Sequence, residues 1–476
     1  MASGLLALAF SAPTIGASAP AEAQRAERNQ RAPRGQAAAP SFVFATPPTI
    51  ERLPNGLNVV LVPWPSPGVV SFNTVVRVGS RDEVEAGHSG FAHLFEHMMF
   101  RGTERFPEEV YERTMQSVGA DHNAFTSNDL TFYTASIPST ALARLMELEA
   151  DRFQNLRYTE QQYRTETGAV LGEYNKSAAN PELKLEETLN ELAFTRHTYG
   201  HTTIGYLRDV QAMPGYFDYS REFFRRFYTP DNCTLVVVGD FDAAAVLRDV
   251  RTLYGDWRGR RDEPRIPVEP EPTAGAERHV EWPASTPPRV MIGYRTPSFD
   301  AGARGARRGA ALRETAALQI LHELLFSSSS PLYQSLVVER QRLLELSSWS
   351  GWFSRDPGLF VMQATLKPGT PFAEVRDAVQ AEIDTIAQGR AGDARVRDVQ
   401  SRLRYAMRME LETPGEVAQL IGRFVAASGD VRDVDAYLEA LASVTPAEVA
   451  SAASRYMTPA RRFVVTLSER SAGGAQ

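Results

Sequence analysis

The 476-residue sequence reads as an α+β fold made of two related domains in series, and three observations carry that reading. Tyr228-Thr229-Pro230 leads within a few residues into Leu235-Val236-Val237-Val238-Gly239, and Met457-Thr458-Pro459 leads into Phe463-Val464-Val465-Thr466-Leu467. Each is a turn signal followed by a buried strand, and the two Thr-Pro pairs lie 229 residues apart. Residues 92–100 resemble residues 318–326 at a nearly equal offset of 226. Two weak similarities at almost one spacing indicate an internal repeat. Between the copies, residues 258–276 are crowded with Pro, Glu and Arg, the composition of an exposed linker.

In chain order, residues 4–10 form a short apolar segment, and Ala21-Glu22-Ala23 has the small-x-small pattern of a signal-peptidase site before Gln24. Residues 1–23 are therefore read as an export signal, although the usual positive start is missing; a disordered Ala-rich tail is the bland alternative. Residues 24–44 read as an unstructured tether. The first domain is expected over 45–257, with strands at 57–62 and 69–78 and helices at 139–156 and 159–176, followed by the linker 258–277. The second domain is expected over 278–470, with a helix at 371–389. Strands and helices without a strict βαβ rhythm point to α+β units. No later apolar run approaches the roughly 20 residues that span a bilayer, so a soluble exported protein, in a bacterial periplasm, is expected.

Hydrophobic residues at 43% and charged residues at 23% exclude a wholly disordered chain. Lys+Arg at 51 against Asp+Glu at 58 leaves a net charge of −7, which argues against a sequence-blind nucleic-acid binder. The lone Cys233 excludes an internal disulfide framework and a cysteine-based zinc cluster, and its place at the head of an apolar run reads as a buried structural thiol.

The chemistry lies in residues 91–99. Phe91, Leu94, Phe95, Met98 and Met99 fall at i, i+3, i+4, i+7 and i+8, one buried face of a helix. His93, Glu96 and His97 share another face. Two histidines four residues apart lie one above the other, so both imidazoles reach one ion at roughly 2.0–2.1 Å. Glu96 stands close enough to take a proton from a water at that ion. His-x-x-Glu-His is the inverted zinc-peptidase helix; the bland alternative is a surface helix with two solvated histidines. A third ligand is needed, and Glu166 and Glu173 lie two helical turns apart on one face of the expected 159–176 helix. Thr165, Gly168, Ala169 and Gly172 keep that helix slim enough to pack closely.

Gly79-Ser80-Arg81, Gly87 and Ala92-His93-Leu94-Phe95-Glu96-His97-Met98-Met99-Phe100-Arg101-Gly102-Thr103 resemble the signature of the insulinase/pitrilysin (M16) metallopeptidases. The resemblance continues through Asn123-Ala124-Phe125-Thr126-Ser127-Asn128-Asp129, Thr131-Phe132-Tyr133 and the pair Glu166-x6-Glu173, and covers essentially the whole mature chain. It implies two homologous domains of the mitochondrial-processing-peptidase type, each a mostly antiparallel sheet packed with helices. It further implies one Zn2+ per chain held by His93, His97 and Glu173, with Glu96 as general base and Glu166 orienting a ligand. Asn123, Ala124 and Phe125 would form the strand edge to which substrate peptide adds, a mode suited to unfolded peptides in a closed chamber. His88, His122, His197 and His201 are then spare, structural or surface residues.

One departure stands out. Active members resembling this chain carry an Arg-x6-Tyr pair in the second half, which steadies the tetrahedral intermediate. Here Val338 replaces the Arg and Glu345 the Tyr, and neither supplies electrophilic help to an oxyanion. In the family one subunit's zinc helix faces the second half of another subunit. The expectation is therefore a heterodimer with a homologous partner that supplies Arg and Tyr. A self-sufficient homodimeric peptidase and a non-catalytic scaffold of the same fold are the alternatives, and neither nucleic acid nor a membrane span is expected.

Overall fold

Among the residues described by the computed structural model (47–299, 306–351, 353–409 and 411–470), eleven strands form two sheets. The signal at 1–23 and the tether at 24–44 lie outside the described residues. The first sheet holds β1 (Thr49–Arg52), β2 (Asn58–Pro63), β3 (Val69–Val76), β4 (Asp121–Thr126), β5 (Thr131–Pro138) and β6 (Cys233–Gly239). Its order is β1-β2-β6-β3-β5-β4, which leaves β4 at an edge. The second sheet holds β7 (Ala276–Trp282), β8 (Arg289–Arg295), β9 (Leu343–Ser350), β10 (Leu359–Leu366) and β11 (Arg462–Glu469) in the order β7-β11-β8-β10-β9. Apart from the extra β1, one order repeats, and in both sheets only the pair containing the Thr-Pro strand (β2 with β6, β7 with β11) is parallel. The mostly antiparallel α+β architecture expected from the sequence is thus present twice. Among the described residues no helix is long and apolar enough to cross a membrane.

Six helices are α1 (Phe91–Met98) and α2 (Glu160–Ala178), which carry the candidate site, with α3 (Pro181–Ala193), α4 (Ala306–Phe326), α5 (Asp393–Met409) and α6 (Pro414–Ser428). The helices expected at 139–156 and 371–389 are found at Leu142–Asn155 and Phe372–Ala387. Local chemistry sets several starts. Thr159 and Gln162 close a capping box on α2, Asn180 caps α3 with Pro181 at its first position, and Thr413 and Glu416 box α6.

The two halves exchange helices. α3, from the first half, packs on the second sheet: Leu185 and Leu189 join Met291, Val361, Phe463, Val465 and Leu467 in one buried cluster. α6, from the second half, packs on the first sheet, where Val417, Ile421 and Val425 meet Val60, Val75, Phe132, Val236 and Val238. Each sheet is therefore covered on both faces, which explains why Leu235–Val238 is apolar at every position rather than alternating. A linker composition marks where the chain crosses over, but it carries no information about which sheet a helix will cover.

The 258–277 stretch has contacts of its own. Glu269 accepts the N–H groups of Thr195 (3.0 Å), Arg196 (2.7 Å) and His197 (2.9 Å), and β7 begins inside it at Ala276. Polar contacts also cross between halves. Asp129 accepts the Tyr199 hydroxyl (2.7 Å) and the Arg355 N–H (3.1 Å), and Asp356 sits between Arg81 (2.5 Å) and His197 Nε2 (3.1 Å).

α6 comes close to the first sheet at Gly422, where an added Cβ would collide with the Phe132 ring. Helix propensity alone favours Ala over Gly by about 1 kcal/mol, whereas overpacking a rigid core costs about 1–3 kcal/mol. Gly422→Ala is therefore expected to lower the thermal midpoint; an unchanged or raised midpoint would show that the α6 interface is loose.

Candidate metal centre

α1 buries Phe91, Leu94, Phe95 and Met98 and turns His93, Glu96 and His97 toward α2 and the β4 edge. His93 Nε2 lies 3.6 Å and His97 Nε2 3.7 Å from the same atom, Glu173 Oε2 on α2. Donors held about 2.0–2.2 Å from a tetrahedral ion stand roughly 3.3–3.6 Å from one another, so this carboxylate oxygen sits close to the spacing a shared ion requires. One donor atom each from His93, Glu96 and His97 also falls within 4.8 Å of the others, so Glu96 is a rival third ligand. The two carboxylates differ in their contacts. Glu96 Oε2 accepts the Thr126 hydroxyl at 2.7 Å, whereas Glu173 Oε2 lies near both imidazoles.

Electrostatics favour a cation here. Burial, with His97 adding to it, pushes His93 down to about 3, so at neutral pH its ring is uncharged with a lone pair to give. Burial also works against charge on His97, but the Glu166 contact and the charges of Glu96, Glu166 and Glu173 outweigh it and raise its pKa. Three carboxylates, one of them paired with Arg101, thus face two imidazoles. Burial raises Glu173, opposed by His97 and Lys176. Burial likewise raises Glu96, opposed by the Thr126 hydrogen bond and His97. The donor set fits zinc by ligand type and by the neutrality of His93.

Glu166 stands one step back. Its Oε2 lies 3.4 Å from His97 Nδ1, leaving His97 Nε2 directed at Glu173. Its Oε1 accepts from Arg101, whose other nitrogen donates to both oxygens of Glu108 at 2.9 and 3.1 Å. Arg101 and Thr126 are functional neighbours to which sequence reasoning gave no role. Arg101 follows His97 by four residues, a spacing that could have flagged it. Arg101→Gln should loosen the Glu166–His97 contact and weaken zinc affinity by about tenfold to a hundredfold, read by competition with a chromogenic chelator. An unchanged affinity would remove Arg101 from the site.

Asn123, Ala124 and Phe125 lie in β4, which among the described residues pairs only with β5 and so presents a sheet edge beside α1. Asn123 is exposed, Ala124 buried and Phe125 half-buried against Phe132. Thr126 at the end of this strand joins the edge to Glu96. His88, His122, His197 and His201 stand apart from the cluster, near Tyr216, Glu112, Asp356 and Glu83 respectively. Val338 is 51% exposed, and Glu345 is an exposed residue of β9.

The second half keeps the frame of this site but not its donors. At the repeat offsets, Glu96 corresponds to His322, His97 to Glu323 and Glu173 to Arg402. Ser348 on β9 contacts His322 Nε2 at 2.8 Å, as Thr126 on β4 contacts Glu96. Arg402 pairs with Glu323 at 3.0 Å, an ion pair where the first half brings together two donors.

Two models of one family match the chain: "Insulinase (Peptidase family M16)" over residues 59–206 and "Peptidase M16 inactive domain" over 217–403. An uncharacterized zinc protease of Streptomyces coelicolor is 27% identical over 416 residues, covering 85% of this chain and 86% of that protein. The zinc protease PqqE of Helicobacter pylori is 24% identical over 428 residues, covering 87% and 91%. Among solved structures, a protease from Helicobacter pylori matches with a TM-score of 0.82 at 23% identity, covering 89% of this chain and 99% of that one. An M16-like peptidase from Alicyclobacillus acidocaldarius matches at 0.78 and 19% identity, covering 90% and 99%. These two structural likenesses speak to the fold.

Proposed function

The chain belongs to the M16 peptidase family, and on that footing we propose that it is a zinc-dependent endopeptidase acting on peptides or unfolded segments inside a closed chamber. Its relatives are named zinc proteases, which supports peptidase chemistry in general. The observation that carries the finer reading is the convergence of His93 Nε2 and His97 Nε2 on Glu173 Oε2, with Glu96 beside them.

His93, His97 and Glu173 would hold one zinc ion, which lowers the pKa of a water to about 7 and polarises a carbonyl. Peptide lies along Asn123, Ala124 and Phe125 as an added strand, paired through main-chain groups and so indifferent to most side chains. Glu96 accepts the proton of the attacking water on its carboxylate and returns it to the leaving amine nitrogen, ending ionised as it began. The Thr126 hydroxyl fixes one Glu96 oxygen and leaves the other for that proton. Glu166, braced by Arg101, keeps His97 turned toward Glu173.

Val338 and Glu345 in place of an Arg-Tyr pair support a heterodimer in which this chain supplies zinc and base and a homologous partner supplies Arg and Tyr. The pattern of residues 1–23 supports export to a bacterial periplasm. The reading is tested by metal analysis together with turnover of a quenched fluorescent peptide library, using Glu96→Gln as control.

A further inference from the structure

α1 has only eight residues, too short to hold itself in water, so its register is imposed from its ends. Its cap, Gly90, has φ +92° and contributes no side chain. Two N–H groups at this end go instead to one carboxylate: Gly90 N–H donates to Glu83 Oε2 at 2.8 Å and Ala92 N–H to Glu83 Oε1 at 2.7 Å. The Glu83 side chain is wholly buried, with His201 Nε2 3.8 Å away.

Just before the helix, a second buried carboxylate holds Ser89. Asp209 Oδ2 accepts the Ser89 hydroxyl at 2.7 Å, and the same hydroxyl oxygen accepts the Tyr206 N–H at 2.9 Å. Gly205, at φ +88°, brings its backbone so near that an added Cβ would stand 2.7 Å from the Ser89 carbonyl carbon and 2.8 Å from Gly90 N. At the far end, buried Arg152 reaches Met99 O at 3.5 Å while paired with Glu149 at 2.8 Å. Both ends of the helix are thus met by side chains, carboxylate oxygens at its first N–H groups and a guanidinium near the carbonyl that follows it.

We propose that Glu83 and Asp209 are positioning residues for the metal centre: by fixing the entry of α1 they set the register at which His93 and His97 meet Glu173. The inference rests on the zinc reading above. Productive site geometry tolerates roughly 0.5 Å or 10–20° of error, and rotating or sliding an eight-residue helix carries all three functional side chains together. Hydrophobic packing of Phe91, Leu94, Phe95 and Met98 resists large movements. It does not by itself fix a small rotation, because apolar contacts lack direction.

Glu83→Gln keeps the shape but turns an amide NH2 toward one of the two N–H donors. Asp209→Asn is the milder change, because both Ser89 bonds use Oδ2 and an amide oxygen can take its place; Ser89→Ala removes the hydroxyl that Asp209 holds. The variants and the wild-type full-length chain are loaded with zinc for chelator competition and with Co2+ for visible spectroscopy, and thermal melts report folding. The expected result is a folded Glu83→Gln protein whose zinc affinity falls about tenfold to a hundredfold and whose cobalt bands shift, with a smaller change of the same kind in Asp209→Asn. A variant that merely loses stability, with wild-type affinity and cobalt spectrum in its folded form, overturns the proposal. Should Glu83→Gln not fold, Ser89→Ala, which breaks the Asp209–Ser89–Tyr206 chain, decides on the same two readouts. A wild-type chain that binds no stoichiometric zinc overturns instead the zinc reading itself, and this inference with it.

Discussion

Glu96→Gln should lower peptide turnover by about 10²- to 10⁴-fold while the protein keeps its zinc. The glutamine side chain has the shape of the one it replaces, and its amide oxygen still accepts the Thr126 hydroxyl that holds Glu96 Oε2 at 2.7 Å. The proposed ligands His93, His97 and Glu173 are untouched. What is lost is the ability to take and return a proton. Burial pushes the Glu96 carboxyl upward from the ordinary carboxylate range, against the Thr126 bond and His97, bringing it closer to the pH at which a base works well. The measurement pairs metal content with kcat and KM in whichever assembly turns over peptide. A fall in kcat at full zinc and near-constant KM marks loss of the base. Turnover near the wild-type level at full zinc would assign the proton to another group, and a variant without zinc would make Glu96 a ligand.

The same residues show how far sequence reasoning reaches. The α1 pattern was legible because helix periodicity separates an apolar face from His93, Glu96 and His97 within nine residues. The repeat was legible because Thr-Pro turns lead into apolar strands twice, and the matching sheet orders reflect that duplication. The choice of Glu173 over Glu96 as the carboxylate nearest both imidazoles was not legible from spacing: it depends on how α2 lies against α1, and reached the sequence reading only through family resemblance. Glu83 was invisible for a similar reason. Its role exists only because the chain returns to place a buried carboxylate at N–H groups seven and nine residues later. The exchange of α3 and α6 between sheets was likewise hidden, since Leu185, Leu189, Val417 and Ile421 show that each helix has an apolar face but not which sheet will cover it. Sequence periodicity encodes faces; the pairing of faces is a property of the packed chain.

That pairing bears on the second large effect, expected at Val338 and Glu345. On the heterodimer reading, the purified chain alone turns peptide over slowly, and adding a homologous subunit that carries Arg-x6-Tyr raises turnover about 10²- to 10³-fold, the magnitude associated with an oxyanion donor. The double variant Val338→Arg/Glu345→Tyr should recover much of that gain without a partner, because in an assembly of identical chains each zinc helix would face a second domain now equipped with the pair. The fold should tolerate the change. Val338, in the π-helical turn Gln334–Glu339, is 51% exposed, and Glu345 projects from β9 as an exposed residue. Neither substitution displaces a core side chain, so the cost in stability is expected within about 0.5 kcal/mol, and a thermal melt checks it. A folded, zinc-loaded double variant that stays as slow as the wild-type chain would count against these positions as the source of the deficit. A wild-type chain already fast alone, with activity lost in Glu96→Gln, would show that the oxyanion is met by groups within the chain and that no partner is required for turnover.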